Sequence, residues 1–225
     1  DLTLSPVEAY TWKDVEGAKE KEFGKVVILQ KFAAGEPITV KAGETLVVDF
    51  GQNCAGIPAF EFKAKEGTVL TCLPGELLND GNGAQSRGMD GPEGSVHRTN
   101  LRTPATAFIL KYTFGAGNKY VKYHPTRTFY GYRFASITDT DDVTIKSIAT
   151  ILVTSIAENL ETGKITTGDE SVNKLISNTY WGQLSNYLSV PTDCPQRNER
   201  LGWTADTQVF TETGSFFANT TTFFH

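Results

Sequence analysis

The spacing of apolar residues changes once along this chain, near residue 153, and that change limits the folds open to it. Before it, short runs rich in β-branched and aromatic residues recur: Val26–Phe32, Thr45–Phe50, Ala59–Ala64, Thr68–Leu73, Phe108–Phe114, Phe129–Ile137 and Thr144–Val153. Gly, Pro, Asn or Asp separates them, as turns separate strands. Phe60 and Phe62 fall on one face while Glu61 and Lys63 fall on the other, the alternation of a half-buried antiparallel strand. Many short strands with no helical period between them predict a jelly-roll-like antiparallel β-sandwich. The phrase Asp49–Gly56 reads as a turn after a strand, with Gly51 and Gly56 allowing unusual dihedrals. Residues 75–104 carry six glycines and little apolar content. They read as a mobile insertion, and no site is placed there.

After Val153 the period becomes helical. Thr167-Gly-Asp-Glu170 has the form of a capping box, and Val172, Leu175, Ile176, Thr179, Leu184 and Leu188 follow at helical spacing. This helix is predicted to end near Ser189, ahead of Pro191. Thr204 is placed as the cap of a second helix carrying Val209, Phe210, Phe216 and Phe217. The chain divides accordingly into a β-sandwich domain, 1–155, and an incomplete helical domain, 156–225. Two helices make no domain by themselves, so their apolar faces need partners. The first residue is Asp1 and the last six are Thr-Thr-Thr-Phe-Phe-His, which together suggest an internal piece of a longer protein. Periplasmic, extracellular and cytoplasmic locations all stay open on that reading.

Between the two helices lies the densest chemistry in the sequence. Residues 191–209 read Pro-Thr-Asp-Cys-Pro-Gln-Arg-Asn-Glu-Arg-Leu-Gly-Trp-Thr-Ala-Asp-Thr-Gln-Val. Three carboxylates (Asp193, Glu199, Asp206), two guanidiniums (Arg197, Arg200) and one indole (Trp203) share this stretch. Crowding like charges costs free energy unless a ligand or opposite charges answer them. Carboxylates near arginines and an aromatic plane suit a sugar pocket, where hydroxyls are gripped, a ring face is covered and one acid protonates a leaving oxygen. Neighbouring carboxylates push such an acid's pKa up and the arginines pull it down, so the balance is open at this level. The bland reading is a polar helix connection with surface ion pairs, Asp206 serving as a helix N-terminal acid and Trp203 as a hydrophobic staple. That accounts for the charge but not for Pro191, Pro195 and Trp203 together.

Other classes of function find little support. Net charge is −5 with no basic patch, so no nucleic-acid partner is expected. No apolar run approaches a membrane span. Cys54, Cys72 and Cys194 lack metal-ligand spacing, and His97, His124 and His225 suggest neither a metal site nor a triad. Arg133 reads as a structural arginine pairing within the sheet.

Pro191–Gln208 closely resembles the signature of the bacterial α-L-rhamnosidases, inverting glycoside hydrolases with an α/α six-hairpin barrel. Asp49-Phe-Gly-Gln-Asn-Cys-Ala-Gly56 and Phe129-Tyr-Gly-Tyr-Arg-Phe134 are similar to two phrases of that family's preceding β-sandwich, and Leu73-Pro-Gly-Glu-Leu77 is a weaker third. The resemblance spans nearly the whole chain and implies a β-sandwich followed by the first barrel helices. By position in the motif it implies that Glu199 is the proton donor. Asp193 and Asp206 would hold rhamnose hydroxyls, Trp203 would line the same subsite and Arg197 would orient one of the acids. Asn198 departs from the pattern, standing where many members carry Asp. The family's general base, a glutamate on a later hairpin, has no counterpart here. The expected partner is a rhamnose-containing glycan or glycoside, with no cofactor and no metal. Two other readings remain: a non-catalytic carbohydrate-binding or structural fragment, and another inverting α/α-barrel glycosidase of glucuronyl or amylolytic type.

Overall fold

The computed structural model describes residues 2–81, 90–101, 108–156, 160–197, 199 and 201–225. In chain order the strands are β1 (Thr3–Leu4), β2 (Glu8–Glu16), β3 (Lys25–Phe32), β4 (Ile38–Val40), β5 (Thr45–Ala64), β6 (Val69–Gly75), β7 (Leu77–Leu78), β8 (Val96–His97), β9 (Leu110–Thr113), β10 (Val121–Tyr123), β11 (Tyr130–Asp139) and β12 (Val143–Leu152). The helices α1 (Glu170–Asn186), α2 (Thr204–Phe217) and the short α3 (Thr221–Phe224) follow. The fold class read from the sequence is the one observed: antiparallel β-structure, then helices.

β5 organises the sheet. Its first half pairs with β2 on one edge and β11 on the other, and its second half pairs with β12 and β10. The sheet therefore curls, and its two ends face each other. Leu46, Val48 and Phe50 from the first half share one core with Phe60, Phe62 and Ala64 from the second, closed by Leu70, Ile137, Val143 and Ile145. Phe62 is fully enclosed, its ring 4.8 Å from Tyr112 and 4.7 Å from Phe114. Burial of such a side chain contributes about 2–3 kcal/mol. A second cluster (Tyr10, Val26, Val47, Val96, Phe134) lies on the outer face of the first layer.

Three local readings need correction. Asp49–Gly56 is not a turn after a strand, because β5 runs straight through it. Opposite it the β11 register jumps between Tyr132, paired with Cys54, and Phe134, paired with Asp49. The extra β5 residues form a bulge, with Gly51 at φ +75°. Arg133 sits across that bulge and donates to Asp49 through Nε (2.8 Å) and one terminal nitrogen (2.7 Å), the structural pairing anticipated for it. Secondly, the described part of 75–104 is built structure. β7 pairs with β8, and His97, buried, meets Asp90 at 2.8 Å and Asn79 at 3.1 Å. Asp90 in turn accepts from the Arg98 and Thr99 backbone amides. Polar side chains bonding to the backbone replace the apolar contacts that composition lacked; residues 82–89 and 102–104 lie outside the described set.

Thirdly, the helix boundaries shift. Asp169, not Thr167, caps α1, accepting from the Ser171 (2.7 Å) and Val172 (3.2 Å) amides. α1 stops at Asn186 rather than near Ser189, because Thr192 N–H takes the Asn186 carbonyl at 2.9 Å. Thr204 is the first residue of α2, with Trp203 as its cap. The apolar face of α1 divides: Leu184 is buried, whereas Leu175 is 65% exposed, and Val209 on α2 is 84% exposed. No described helix is long and apolar enough to cross a membrane.

Asp139 ends β11 with both carboxylate oxygens buried and without a partner among the described residues, and burial pushes its pKa up to about 7. The folded state thus holds a proton that the unfolded chain releases near pH 4. The stability this group contributes is full below about pH 4 and is lost as pH rises to about 7. Asp139→Asn should remove that slope: relative to the parent protein, its thermal midpoint should rise progressively between pH 4.5 and 8, with about 1–3 kcal/mol regained at the alkaline end. Parallel pH profiles for the two proteins would disprove this.

Candidate functional site

The charge-dense segment is a closed loop between α1 and α2. Its neck is tied where Trp203 N–H donates to the Pro191 carbonyl at 3.0 Å, and Tyr187 bridges to Pro191. Thr192 secures the entry through both its amide and its hydroxyl, which reach Asn186. Beneath the loop α1 is docked on the sheet. Ser185 Oγ accepts from Ala55 N–H at 3.2 Å, and Ser155 donates through its amide to Tyr187 (2.8 Å) and through its hydroxyl to the Leu188 carbonyl. Both sandwich phrases meet the helical part here: Ala55 under Ser185, and Gly131 under Pro195 and Gln196.

Within the loop Arg197 gathers two of the acids. Its Nε donates to Glu199 Oε1 at 3.0 Å, and a terminal nitrogen lies 3.9 Å from Asp193 Oδ2. The Glu199 side chain is 6% exposed, against 44% for Asp193. Glu199 Oε2 is buried and has no hydrogen-bond partner among the described residues. Hydrogen bonding to Glu199 holds the Arg197 guanidinium above its ordinary pKa, so the cation is permanent. Cys194 Sγ donates to Asp193 Oδ2 at 3.1 Å. Burial first, and then Asp193, push that thiol up to about 11, so it stays protonated. Arg200 and Asn198, both named from sequence, lie outside the described residues.

Asp206 and Trp203 are placed differently. Asp206 occupies the first turn of α2 and lines a concavity of about 240 Å³ between α1 and α2, together with Gln183, Asn186, Tyr187 and Thr192. Trp203, 47% exposed, heads α2. Among the described residues neither Asp206 nor Trp203 makes an ion pair or hydrogen bond with the Arg197 cluster through its side chain. Sequence reasoning missed residues that α1 and its C-terminal end give to the concavity, among them Gln183, Asn186 and Tyr187. Gln183 is 1% exposed and gives Nε2–H to the Gly214 carbonyl at 2.9 Å; among the described residues its Oε1 has no partner, and nor does the buried Tyr187 hydroxyl. Gln183 lies seven residues after Ile176 on the same helix face, and a polar side chain in an apolar stripe was the signal available. No group of three or more metal-ligating side chains occurs among the described residues.

Comparison with known proteins matches this architecture. The model of the bacterial alpha-L-rhamnosidase concanavalin-like domain matches residues 38–155, and that of the bacterial alpha-L-rhamnosidase 6 hairpin glycosidase domain matches residues 160–225. An alpha-L-rhamnosidase of Streptomyces avermitilis is 34% identical over 201 residues, covering 86% of this chain and 17% of the relative. One from Formosa agariphila is 32% identical over 183 residues, covering 81% and 18%. Among solved structures, the alpha-L-rhamnosidase from Dictyoglumus thermophilum superposes with a TM-score of 0.71 at 25% identity, covering 99% of this chain and 20% of that one. The Streptomyces avermitilis enzyme complexed with L-rhamnose gives 0.65 at 28% identity, covering 86% and 19%. The chain thus spans less than a fifth of the length of the curated relatives named here. With both domain models matched in order along it, the chain belongs to the bacterial α-L-rhamnosidase family.

Proposed function

We propose that the protein carrying these residues releases terminal, non-reducing α-L-rhamnose from glycans or glycosides, with inversion, and that Glu199 is its general acid. The observation that carries this reading is the Glu199 carboxyl: almost excluded from solvent, one oxygen held by Arg197, the other without a partner among the described residues. Fixing Oε1 sets the direction in which Oε2 can present a proton to a glycosidic oxygen, and positioning of this kind is what general-acid catalysis requires. Asp193, more exposed and on the same guanidinium, is assigned to gripping sugar hydroxyls, with Arg197 orienting both acids. Asp206 and Trp203 are assigned to the wall of the same sugar subsite.

Inversion needs a second carboxylate about 6.5–9.5 Å from the acid, leaving room for a water on the opposite face of the sugar. That base is assigned to a segment outside these 225 residues, so the stretch by itself is proposed to be inactive. In this reading residues 1–155 form the scaffold domain and 156–225 open the catalytic barrel. Two carboxylates and water complete the chemistry without a cofactor.

Glu199→Gln in the full-length protein should cut hydrolysis of an unactivated rhamnoside by about 10²–10⁴-fold, the range for loss of a positioned acid. Its circular dichroism should be unchanged, since the amide oxygen still accepts from Arg197. Full turnover would remove Glu199 from this role. Asp193→Ala should weaken L-rhamnose binding, measured by calorimetry, by about 10–100-fold and lower the rate as well, as loss of a charged hydrogen bond predicts. Unchanged affinity and rate together would show that Asp193 does not hold the sugar.

A further inference from the structure

Gly131 lies in β11, buried, and pairs with Ala55 of β5. Its φ is not among the positive ones, so a left-handed backbone is not what calls for glycine here. Space is the reason. A Cβ built on Gly131 would lie 2.4 Å from the Gln196 nitrogen, 2.4 Å from the Pro195 carbonyl carbon and 2.6 Å from the Pro195 oxygen. All three atoms are backbone of the loop that carries Glu199, three residues further on. A flexible side-chain tip could swing aside, but backbone cannot yield without moving its neighbours.

Which side would yield follows from what holds each. Tyr130 and Tyr132 flank Gly131, both buried in the main core, and the strand is paired there through Tyr130↔Gly56, Gly131↔Ala55 and Tyr132↔Cys54. The described residues of the loop lie in no helix or strand, and they are held at the neck and by the Arg197 pairings. A methyl group at residue 131 would therefore displace the loop, and restoring an ordinary 3.4 Å contact takes roughly 1 Å of movement. Displacement of a catalytic group by that distance can cost about 100-fold in rate.

We propose that Gly131, on the β-sandwich, is a positioning residue for the proton donor: its bare backbone is the seat on which Pro195 and Gln196 rest, and that seat sets where Glu199 stands. The inference rests on the assignment of Glu199 as general acid and extends it to the neighbouring domain. A misplaced acid has a signature that a merely loosened protein lacks. Dinitrophenolate departs without being protonated, whereas methoxide needs the proton.

The experiment compares methyl and 2,4-dinitrophenyl α-L-rhamnosides on full-length Gly131→Ala and Glu199→Ala proteins. For Gly131→Ala the kcat on the methyl glycoside should fall about 100-fold, and at least about tenfold more than on the dinitrophenyl glycoside, where any smaller loss reports Asp193 moving on the same loop. If Gly131→Ala does not accumulate as folded protein, Pro195→Gly, which leaves the strand intact and loosens the loop, should show the same selectivity at about tenfold. Equal losses on both substrates, or none on either, would overturn the inference. Glu199→Ala separates the two ideas. Selective loss there with none in the Gly131 variant defeats the seat alone; a Glu199 variant indifferent to the leaving group defeats the general-acid assignment and the seat with it.

Discussion

The uninterrupted course of β5 is the constraint from which the rest of the structure follows. A strand of 20 residues cannot stay in one flat layer of a small sheet, so its two halves curl to face one another and enclose the main core. The bulge near Gly51 absorbs the bend, and Arg133 closes over it by its paired bonds to Asp49. Immediately beyond the bulge, Ala55 offers its amide to Ser185 of α1 and its carbonyl to Val153. One strand thus turns the corner of the sandwich and anchors α1, the first helix after it.

Charge placement follows from that docking. With α1 fixed on β5 and the loop neck tied between Pro191 and Trp203, residues 193–199 have few places to go. Two carboxylates side by side are tolerable because Arg197 stands between them, and its cost of confinement is offset by the charge-assisted bond to Glu199. The same pairing separates their surroundings: Asp193 keeps contact with solvent while Glu199 is withdrawn from it. Two like side chains six residues apart in sequence thus acquire opposite environments, the condition under which two carboxyl groups can take different parts in one reaction.

Much of this was legible residue by residue. Alternation at Phe60 and Phe62 marked the core face of β5, and Leu184 at helical spacing marked the buried side of α1. The acid–arginine–indole motif named Asp193, Arg197 and Glu199 before any geometry was known, and the structure brings those three together. What escaped was of a different kind. The Asp49–Gly56 phrase reads as a turn because a bulge and a turn use the same residues, and only the partner strand distinguishes them. The Asp90–His97–Asn79 network inside a glycine-rich stretch escaped because composition counts apolar side chains and cannot see polar ones satisfying one another.

The period of the apolar residues settled the order of architectures, strands and then helices, because side-chain direction repeats every two residues in one and every 3.6 in the other. The sequence also singled out the candidate groups, Asp193, Arg197 and Glu199, since only certain side chains hold a charge or give up a proton near neutral pH. It could not settle which carboxyl is dry and which is wet, because burial belongs to the surroundings and not to the residue. Nor could it show that Gly131 and Gln196, 65 positions apart, meet backbone to backbone. That contact exists only once β5, β11 and α1 have packed, and tertiary structure alone decides it.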